Sequence, residues 1–311
     1  MWQGFPLRPE QASTIAEGID HLYYFLTAVD LFFTIVIFLT IFYFAVKYRR
    51  RSVDHKPTPV KTHMALELTW TIIPTIICVI IFIWSSSLFI RNSRPPTASS
   101  EIFVVGKQWM WKLQHPEGRR EIDELHIPVN QPIKLTMTSE DVIHDFFVPA
   151  FRVKKDVIPG TYTSIWFTAT KTGKYHFFCA QYCGTNHSHM TGWVYVMTPS
   201  DYEQWLSGGP KTETMAEGGA KLYQQYACAT CHGTGKGPPF VNLFGSTVKL
   251  QDGRTVVADD AYLRESILFP SEKIVAGYPA IMPTFKGQIS EEQLLQLIAY
   301  IKTVHTEERA K

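Results

Sequence analysis

Two short segments of the sequence combine cysteines with histidines at spacings that suit metal chemistry. The first reads CAQYCGTNHSHM and contains Cys179, Cys183, His187 and Met190. Thiolate and thioether are soft ligands that suit copper, and imidazole suits copper as well. A disulfide is the ordinary alternative for a cysteine pair in an extracytoplasmic domain, but the adjacent histidines favour metal binding.

The second cysteine of this segment determines which kind of copper site we expect. One cysteine, one methionine and two histidines would form an ordinary mononuclear site. Two thiolates on one loop can instead bridge two copper ions, which leaves one histidine for each ion. His144, in an earlier predicted strand, is the expected second histidine. His176 and His189 compete for this role, but His189 is out of phase with the other ligands.

The second segment, CATCH, contains Cys228, Cys231 and His232. The C-x-x-C-H pattern is the attachment signature of c-type haem, in which the thiols add to the vinyl groups and the histidine binds the iron. A zinc site would need two further ligands, and a thioredoxin-like pair would need a βαβ setting. Met282, in YPAIMPTF, lies in a segment that resembles the distal loop of small cytochromes c. Met215 is the second candidate, but it lies in a predicted linker.

Two apolar runs near the N-terminus predict transmembrane helices at residues 22–46 and 66–91. Each run is long enough to cross a hydrocarbon core of about 30 Å at about 1.5 Å per residue. Residues 47–65 between them are rich in lysine and arginine. In residues 1–21, by contrast, Arg8 is the only arginine, and there is no lysine. The positive-inside rule therefore puts the connecting loop in the cytoplasm, and it puts the N-terminal segment and everything after the second helix outside.

The rest of the chain divides into two soluble domains. Residues 92–198 contain short β-branched and aromatic runs broken by turn residues, which predict a β-sandwich. Residues 199–218 are polar and contain glycine, which predicts a linker. Residues 219–311 contain the CATCH segment and a C-terminal helix opened by a capping box of Ser290 and Gln293, and this unit is similar to a class I cytochrome c. The net charge of +2 gives no argument for a nucleic-acid partner.

Together these features resemble subunit II of cytochrome c oxidase with a fused C-terminal cytochrome c domain, as in the caa-type haem–copper oxidases. The resemblance implies a transmembrane two-helix hairpin, an all-β cupredoxin-like domain with a binuclear copper centre called CuA, and an all-α class I cytochrome c domain. Two copper ions and one covalently bound haem c are the implied cofactors. The implied copper ligands are His144, Cys179, the backbone carbonyl of Gln181, Cys183, His187 and Met190.

The resemblance also implies roles for residues outside the ligand set. Trp109, in GKQWMW, matches the aromatic residue through which electrons reach the copper. Glu67 stands three residues before Trp70 and matches a glutamate at the mouth of a proton channel into subunit I. The family usually has a glutamate at the position of Gln181, and its side chain binds magnesium at the interface with subunit I. Gln181 lacks that carboxylate, so the resemblance does not carry the magnesium site over to this chain.

The resemblance implies a respiratory function in the bacterial inner membrane. Electrons from an upstream cytochrome c or quinol-oxidising complex would reach haem c, then the copper pair, then the oxygen-reducing site of subunit I, with coupled proton pumping. Further oxidase subunits and membrane lipid are the other implied partners. Two alternatives stay open: the small subunit of a CuA-containing nitric oxide reductase, and a copper metallochaperone. Glu67 argues against the first, and His187, Met190 and the haem segment argue against the second.

Overall fold

The computed structural model describes residues 9–50, 52, 62–208 and 213–304. The chain forms two compact units: Thr14–Arg94 is one, and Met1–Ser13 with Pro95–Lys311 is the other. Several basic residues used above for orientation lie outside the described residues, namely Arg8, Arg51, Lys56 and Lys61.

The smaller unit is a pair of long apolar helices, α1 (Ala16–Lys47) and α2 (Met64–Asn92). Both helices are long and apolar enough to cross a membrane, and most of their large apolar side chains are exposed. Lipid-facing helices expose apolar side chains in this way, because lipid tails take the place of a protein core. The two helices contact each other through Phe25 and Trp84, whose ring centroids lie 5.6 Å apart.

A sandwich of two five-stranded sheets follows. In chain order its strands are β1 (Ser100–Lys107), β2 (Met110–Gln114), β3 (Arg120–Ile122), β4 (Glu124–Pro128), β5 (Pro132–Ser139), β6 (His144–Val148), β7 (Val153–Val157), β8 (Thr163–Thr168), β9 (Gly173–Cys179) and β10 (Thr191–Met197). One sheet has the order β3-β2-β1-β5-β8, and the other has the order β4-β10-β9-β6-β7. Large side chains such as Trp111, Phe146 and Phe177 are fully buried in the sandwich and pack edge-to-face or tilted.

The C-terminal domain is mainly helical. Its elements are α4 (Met215–Gln225), α5 (Ala229–His232), the ribbon strands β11 (Thr247–Lys249) and β12 (Thr255–Val257), α6 (Asp260–Leu268) and α7 (Glu291–Thr303). Helices α4 and α7 cross at Gly219, where an added Cβ would lie only 2.0 Å from the carbonyl oxygen of Gln296. The predicted capping box of Ser290 and Gln293 is confirmed at the start of α7. The predicted fold class, two apolar helices followed by a β-sandwich and a helical domain, is confirmed.

The segment predicted as a linker, residues 199–218, is largely helical where the structure describes it. Helix α3 (Pro199–Ser207) occupies its first half, and α4 begins inside its second half at Met215. Both helices have a threonine cap: the side chain of Thr198, just before the segment, and that of Thr214, within it, each accept a backbone hydrogen bond at a helix start.

Candidate metal centre

Two adjacent strands and one loop bring the predicted copper ligands together. His144 begins β6 and Cys179 ends β9, and these strands pair so that Phe146 lies opposite Cys179. The following loop returns on itself, because the backbone N–H of Cys179 donates to the carbonyl of Met190 at 3.0 Å. His187 lies on a short 3₁₀ turn within this loop. The pairing of β6 with β9 therefore fixes His144 relative to Cys179, and the closure of the loop fixes His187 and Met190.

Six potential donor atoms converge at this end of the sandwich. Cys179 and Cys183 are both buried free thiols. The separations are Cys179 Sγ to Cys183 Sγ 3.7 Å, Cys179 Sγ to His144 Nδ1 3.9 Å, Cys183 Sγ to His187 Nδ1 3.4 Å, Cys183 Sγ to Met190 Sδ 3.8 Å, and Cys179 Sγ to the Gln181 carbonyl oxygen 3.1 Å.

This donor set fits copper bound by bridging thiolates. With metal–sulfur bonds of about 2.3 Å, two sulfurs can share one ion when they lie less than about 4.6 Å apart, and the two thiols meet this condition. Burial opposes ionisation of Cys179, but hydrogen bonds from His144 and the loop lower the pKa of this thiol. Burial and the neighbouring Cys179 charge raise the pKa of Cys183. A cation between the sulfurs would relieve the repulsion between two thiolates.

Asp141 orients His144 and was missed by the sequence reasoning. The Oδ1 atom of Asp141 lies 2.8 Å from His144 Nε2, on the ring nitrogen that faces away from Cys179. The backbone N–H groups of Gln108 and Val142 donate to the same carboxylate, each at 2.7 Å. Carboxylate partners of this kind fix the tautomer of metal-binding histidines. The signal in the sequence is an acidic residue three positions before the histidine.

Trp109 lies directly on the copper loop. Its indole N–H donates to the carbonyl of Cys183 at 3.2 Å, and the side-chain amide of Gln108 donates to the same carbonyl at 2.8 Å. Gly184 makes this approach possible, because its φ is +115° and an added Cβ would lie 3.2 Å from the Trp109 ring. Trp109 is half-buried.

Glu67, the predicted proton-entry residue, belongs to the other unit and lies in the first turn of α2.

The competing histidines lie elsewhere in the domain. His189 is exposed, and His176 packs against Trp193 at a centroid distance of 4.9 Å. Among the described residues, neither of these two histidines makes a hydrogen bond to Cys179 or Cys183. His115, which is buried just after β2, and His126 of β4 both contact the Glu121 carboxylate.

The CATCH segment lines a separate cavity in the C-terminal domain. Cys228, at the start of helix α5, and Cys231 and His232 within it lie on the wall of a cavity of about 360 Å³. Met282 lines the same cavity, and most of the other lining side chains are apolar. A deep, mainly apolar cavity with two thiols, an imidazole and a thioether fits a c-type haem. Met215 does not line it; this first residue of α4 is buried against α7 and β1.

His232 is held in the orientation that a haem ligand needs. Its Nδ1 atom lies 2.7 Å from the carbonyl oxygen of Pro238, so Nδ1 donates and Nε2 keeps its lone pair. The Phe240 ring packs against the imidazole at a centroid distance of 4.4 Å. Gly237 allows this close packing, since an added Cβ would lie 3.2 Å from His232 Nδ1.

Fold and sites together define a protein with two membrane-crossing helices, a cupredoxin-like domain and a cytochrome c-like domain. Three family models match these parts in turn. Residues 1–88 match the transmembrane domain of cytochrome c oxidase subunit II, residues 119–196 match its periplasmic domain, and residues 214–301 match subunit III of cbb3-type cytochrome c oxidase.

Curated relatives agree with these matches. Cytochrome c oxidase subunit 2 of Alkalihalophilus pseudofirmus is 30% identical over 87% of this chain and 82% of its own length. Its counterpart in Thermostichus vulcanus is 31% identical over 64% of this chain and 77% of its own length. Among solved structures, the periplasmic domain of subunit II of cytochrome oxidase from Bradyrhizobium japonicum has a TM-score of 0.36 and 32% identity, covering 37% of this chain and 96% of that domain.

The chain belongs to the cytochrome c oxidase subunit II family, with a fused C-terminal cytochrome c domain. It is a membrane-anchored subunit of an oxidoreductase complex that includes subunit I. The two soluble domains imply copper and haem c as cofactors.

Proposed function

We propose that this chain receives electrons at a covalently attached haem c and passes them through a binuclear CuA centre to the oxygen-reducing site of subunit I. The observation that carries the proposal is the convergence of six donor atoms, including two thiols 3.7 Å apart, around one buried point. His144, Cys179, the Gln181 carbonyl, Cys183, His187 and Met190 would hold the copper. Cys228 and Cys231 would attach the haem, and His232 and Met282 would bind its iron.

When bound, the copper pair and the haem supply reversible one-electron chemistry; the protein supplies a rigid setting. Asp141 holds His144, and the Pro238 carbonyl holds His232, each in a fixed tautomer. Gln108 and Trp109 hold the copper loop through the Cys183 carbonyl. Preorganised ligands leave little rearrangement for a redox change, which favours fast transfer. Trp109 would be the residue through which electrons reach the copper, since its indole is hydrogen-bonded to the loop itself.

The electron donor would be an upstream cytochrome c or a quinol-oxidising complex, and the membrane would be the bacterial inner membrane. Family membership favours the oxidase over a nitric oxide reductase or a copper metallochaperone. Gln181 offers only its carbonyl near the cysteines, so magnesium at the interface with subunit I would lack a carboxylate from this position. Purification with subunit I tests the proposal: oxygen uptake supports it, whereas nitric oxide consumption without oxygen uptake would contradict it.

Glu67 would collect protons at the cytoplasmic end of α2. A carboxylate at the membrane edge can exchange protons with water and pass them inward. We expect Glu67→Gln to slow steady-state oxygen reduction several-fold in the assembled oxidase and to leave haem-to-copper electron transfer intact. Glu17→Gln is the matched control, because Glu17 lies in the first turn of α1, at the opposite end of the hairpin. Unimpaired turnover of Glu67→Gln at every pH would leave Glu67 as an ordinary acid at a helix start.

A further inference from the structure

The C-terminal domain packs against the outer face of β1. Phe103 and Val105 are each only 3% exposed, although they point away from the interior of the sandwich. Their cover comes from the C-terminal domain, where Met215 of α4 and Leu295 of α7 are 1% and 2% exposed in the same cluster. Side chains on both domains are thus as buried as those of a domain core, which is unusual for domains that are merely tethered.

Charged side chains cross the same interface at its edge. Lys302 of α7 lies 3.1 Å from Glu101 of β1 and 2.6 Å from Asp260 of its own domain. Glu101 also contacts Lys134 at 2.7 Å and accepts a hydrogen bond from Thr136 at 2.5 Å. Burial alone would raise the pKa of Glu101, but Lys302 and Lys134 lower it to about 2. A partly buried charge with several partners favours the one geometry in which they all lie within reach, because losing a partner leaves the charge less compensated.

Two further contacts fix the rotation of the domain. The Arg264 guanidinium donates from Nε to the Gly160 carbonyl at 3.1 Å and packs over the Tyr162 ring at 5.0 Å. At the other side, Lys112 of β2 lies 3.1 Å from Glu292 of α7. The same Lys112 is 3.1 Å from Glu140. The next residue in the chain, Asp141, orients His144.

Helix α7 connects this interface to the haem cavity. Leu295 and Lys302 face the copper domain, whereas Ile301 lines the cavity that contains the CATCH residues. We propose that the C-terminal domain is permanently docked on β1 through α7, so that electrons pass from haem to copper in one fixed arrangement without a docking step. This inference rests on the proposed function. A domain that swings on its connection would have to dock for each transfer.

Two substitutions test the docking from opposite sides. Phe103→Glu on β1 and Leu295→Glu on α7 each put an unpaired charge into the apolar centre of the interface, and neither residue lines the haem cavity or belongs to the copper ligand set. Phe103→Leu is the conservative variant that should retain docking. Arg254→Glu is the matched control, since it breaks an exposed ion pair with Asp252 in the same domain.

The measurement is the rate of haem-to-copper electron transfer in the full chain after flash reduction of the haem, at low and high ionic strength. We expect equal rates at both ionic strengths for the unchanged chain, Phe103→Leu and Arg254→Glu, because the interface is buried and is screened little by salt. Both glutamate variants should slow transfer by about tenfold or more, and viscosity should then slow it further.

A transfer rate that falls with salt or viscosity in the unsubstituted chain would overturn the docking. Transfer rates in both glutamate variants equal to that of the unsubstituted chain would overturn it as well. Copper and haem spectra are recorded for every variant. Normal spectra with unaltered rates contradict the docking alone, whereas an unchanged chain that lacks either cofactor contradicts the proposed function.

Discussion

At the residue scale, two of the three histidines proposed to bind metal, His144 and His232, are oriented in the same way. His144 uses Nε2 to contact Asp141, and His232 uses Nδ1 to contact the Pro238 carbonyl. In each case the hydrogen bond occupies the ring nitrogen that would not bind metal. Residue types and spacing predict which histidines bind metal, but the partners that orient them depend on folded geometry. A backbone carbonyl such as that of Pro238 has no signature in a sequence.

Met282 is the residue whose role rests most on its position in a cavity wall. We expect Met282→Leu to abolish the sulfur-to-iron charge-transfer band and to lower the haem potential, since thioether ligation raises that potential. Absorption spectroscopy and redox titration measure the two effects. Met215→Leu is the control and should retain the band, because Met215 lies in the interface with β1 and not in the cavity. Loss of the band in Met215→Leu alone would reverse the assignment.

At the element scale, α3 is pinned to the sandwich by aromatic and histidine side chains. Trp205 stacks on His126 at a centroid distance of 4.5 Å, and Tyr195 stacks on the opposite face of the same imidazole, also at 4.5 Å. The Tyr202 hydroxyl lies 3.1 Å from His115 Nδ1. Beneath them, both imidazoles contact the carboxylate of Glu121, one through each oxygen.

Glu121→Gln tests this arrangement. An amide offers one acceptor oxygen where the carboxylate offers two, so one histidine loses its partner, at a cost of about 1–3 kcal/mol. We expect the cupredoxin-like domain to unfold at a lower urea concentration, followed by loss of the copper absorption. Glu124→Gln is the matched control on the next strand, because Glu124 is exposed and should change the midpoint little. Equal midpoints for the two variants would show that the Glu121 carboxylate does not hold α3.

The sequence predicted elements well where local chemistry decides them. The apolar helices follow from length and hydropathy, and the capping box of Ser290 and Gln293 is a local signal. Helix α3 was missed because its anchors, Tyr202 and Trp205, pack against His115 and His126, which are distant in the sequence. Polar residues around these anchors are typical of a linker and of a surface helix alike.

At the scale of the whole molecule, the residues of both candidate cofactor sites belong to one compact unit. The interface on β1 could not be predicted, because Phe103 and Val105 look like ordinary residues of a strand that is buried on both faces. Only the fold shows that one face of β1 packs against a second domain. We propose that this unit binds two coppers and one haem per chain.

The most direct test of this cofactor content is the copper-to-haem ratio of the purified chain, measured with its paramagnetic resonance spectrum. We expect two coppers per haem and a mixed-valence signal shared between both ions. We also expect Cys183→Ser to retain at most one copper, with a mononuclear spectrum, because neither histidine nor methionine can replace a bridging thiolate. One copper per haem in the unsubstituted chain, or two coppers with the mixed-valence signal in Cys183→Ser, would contradict a binuclear centre.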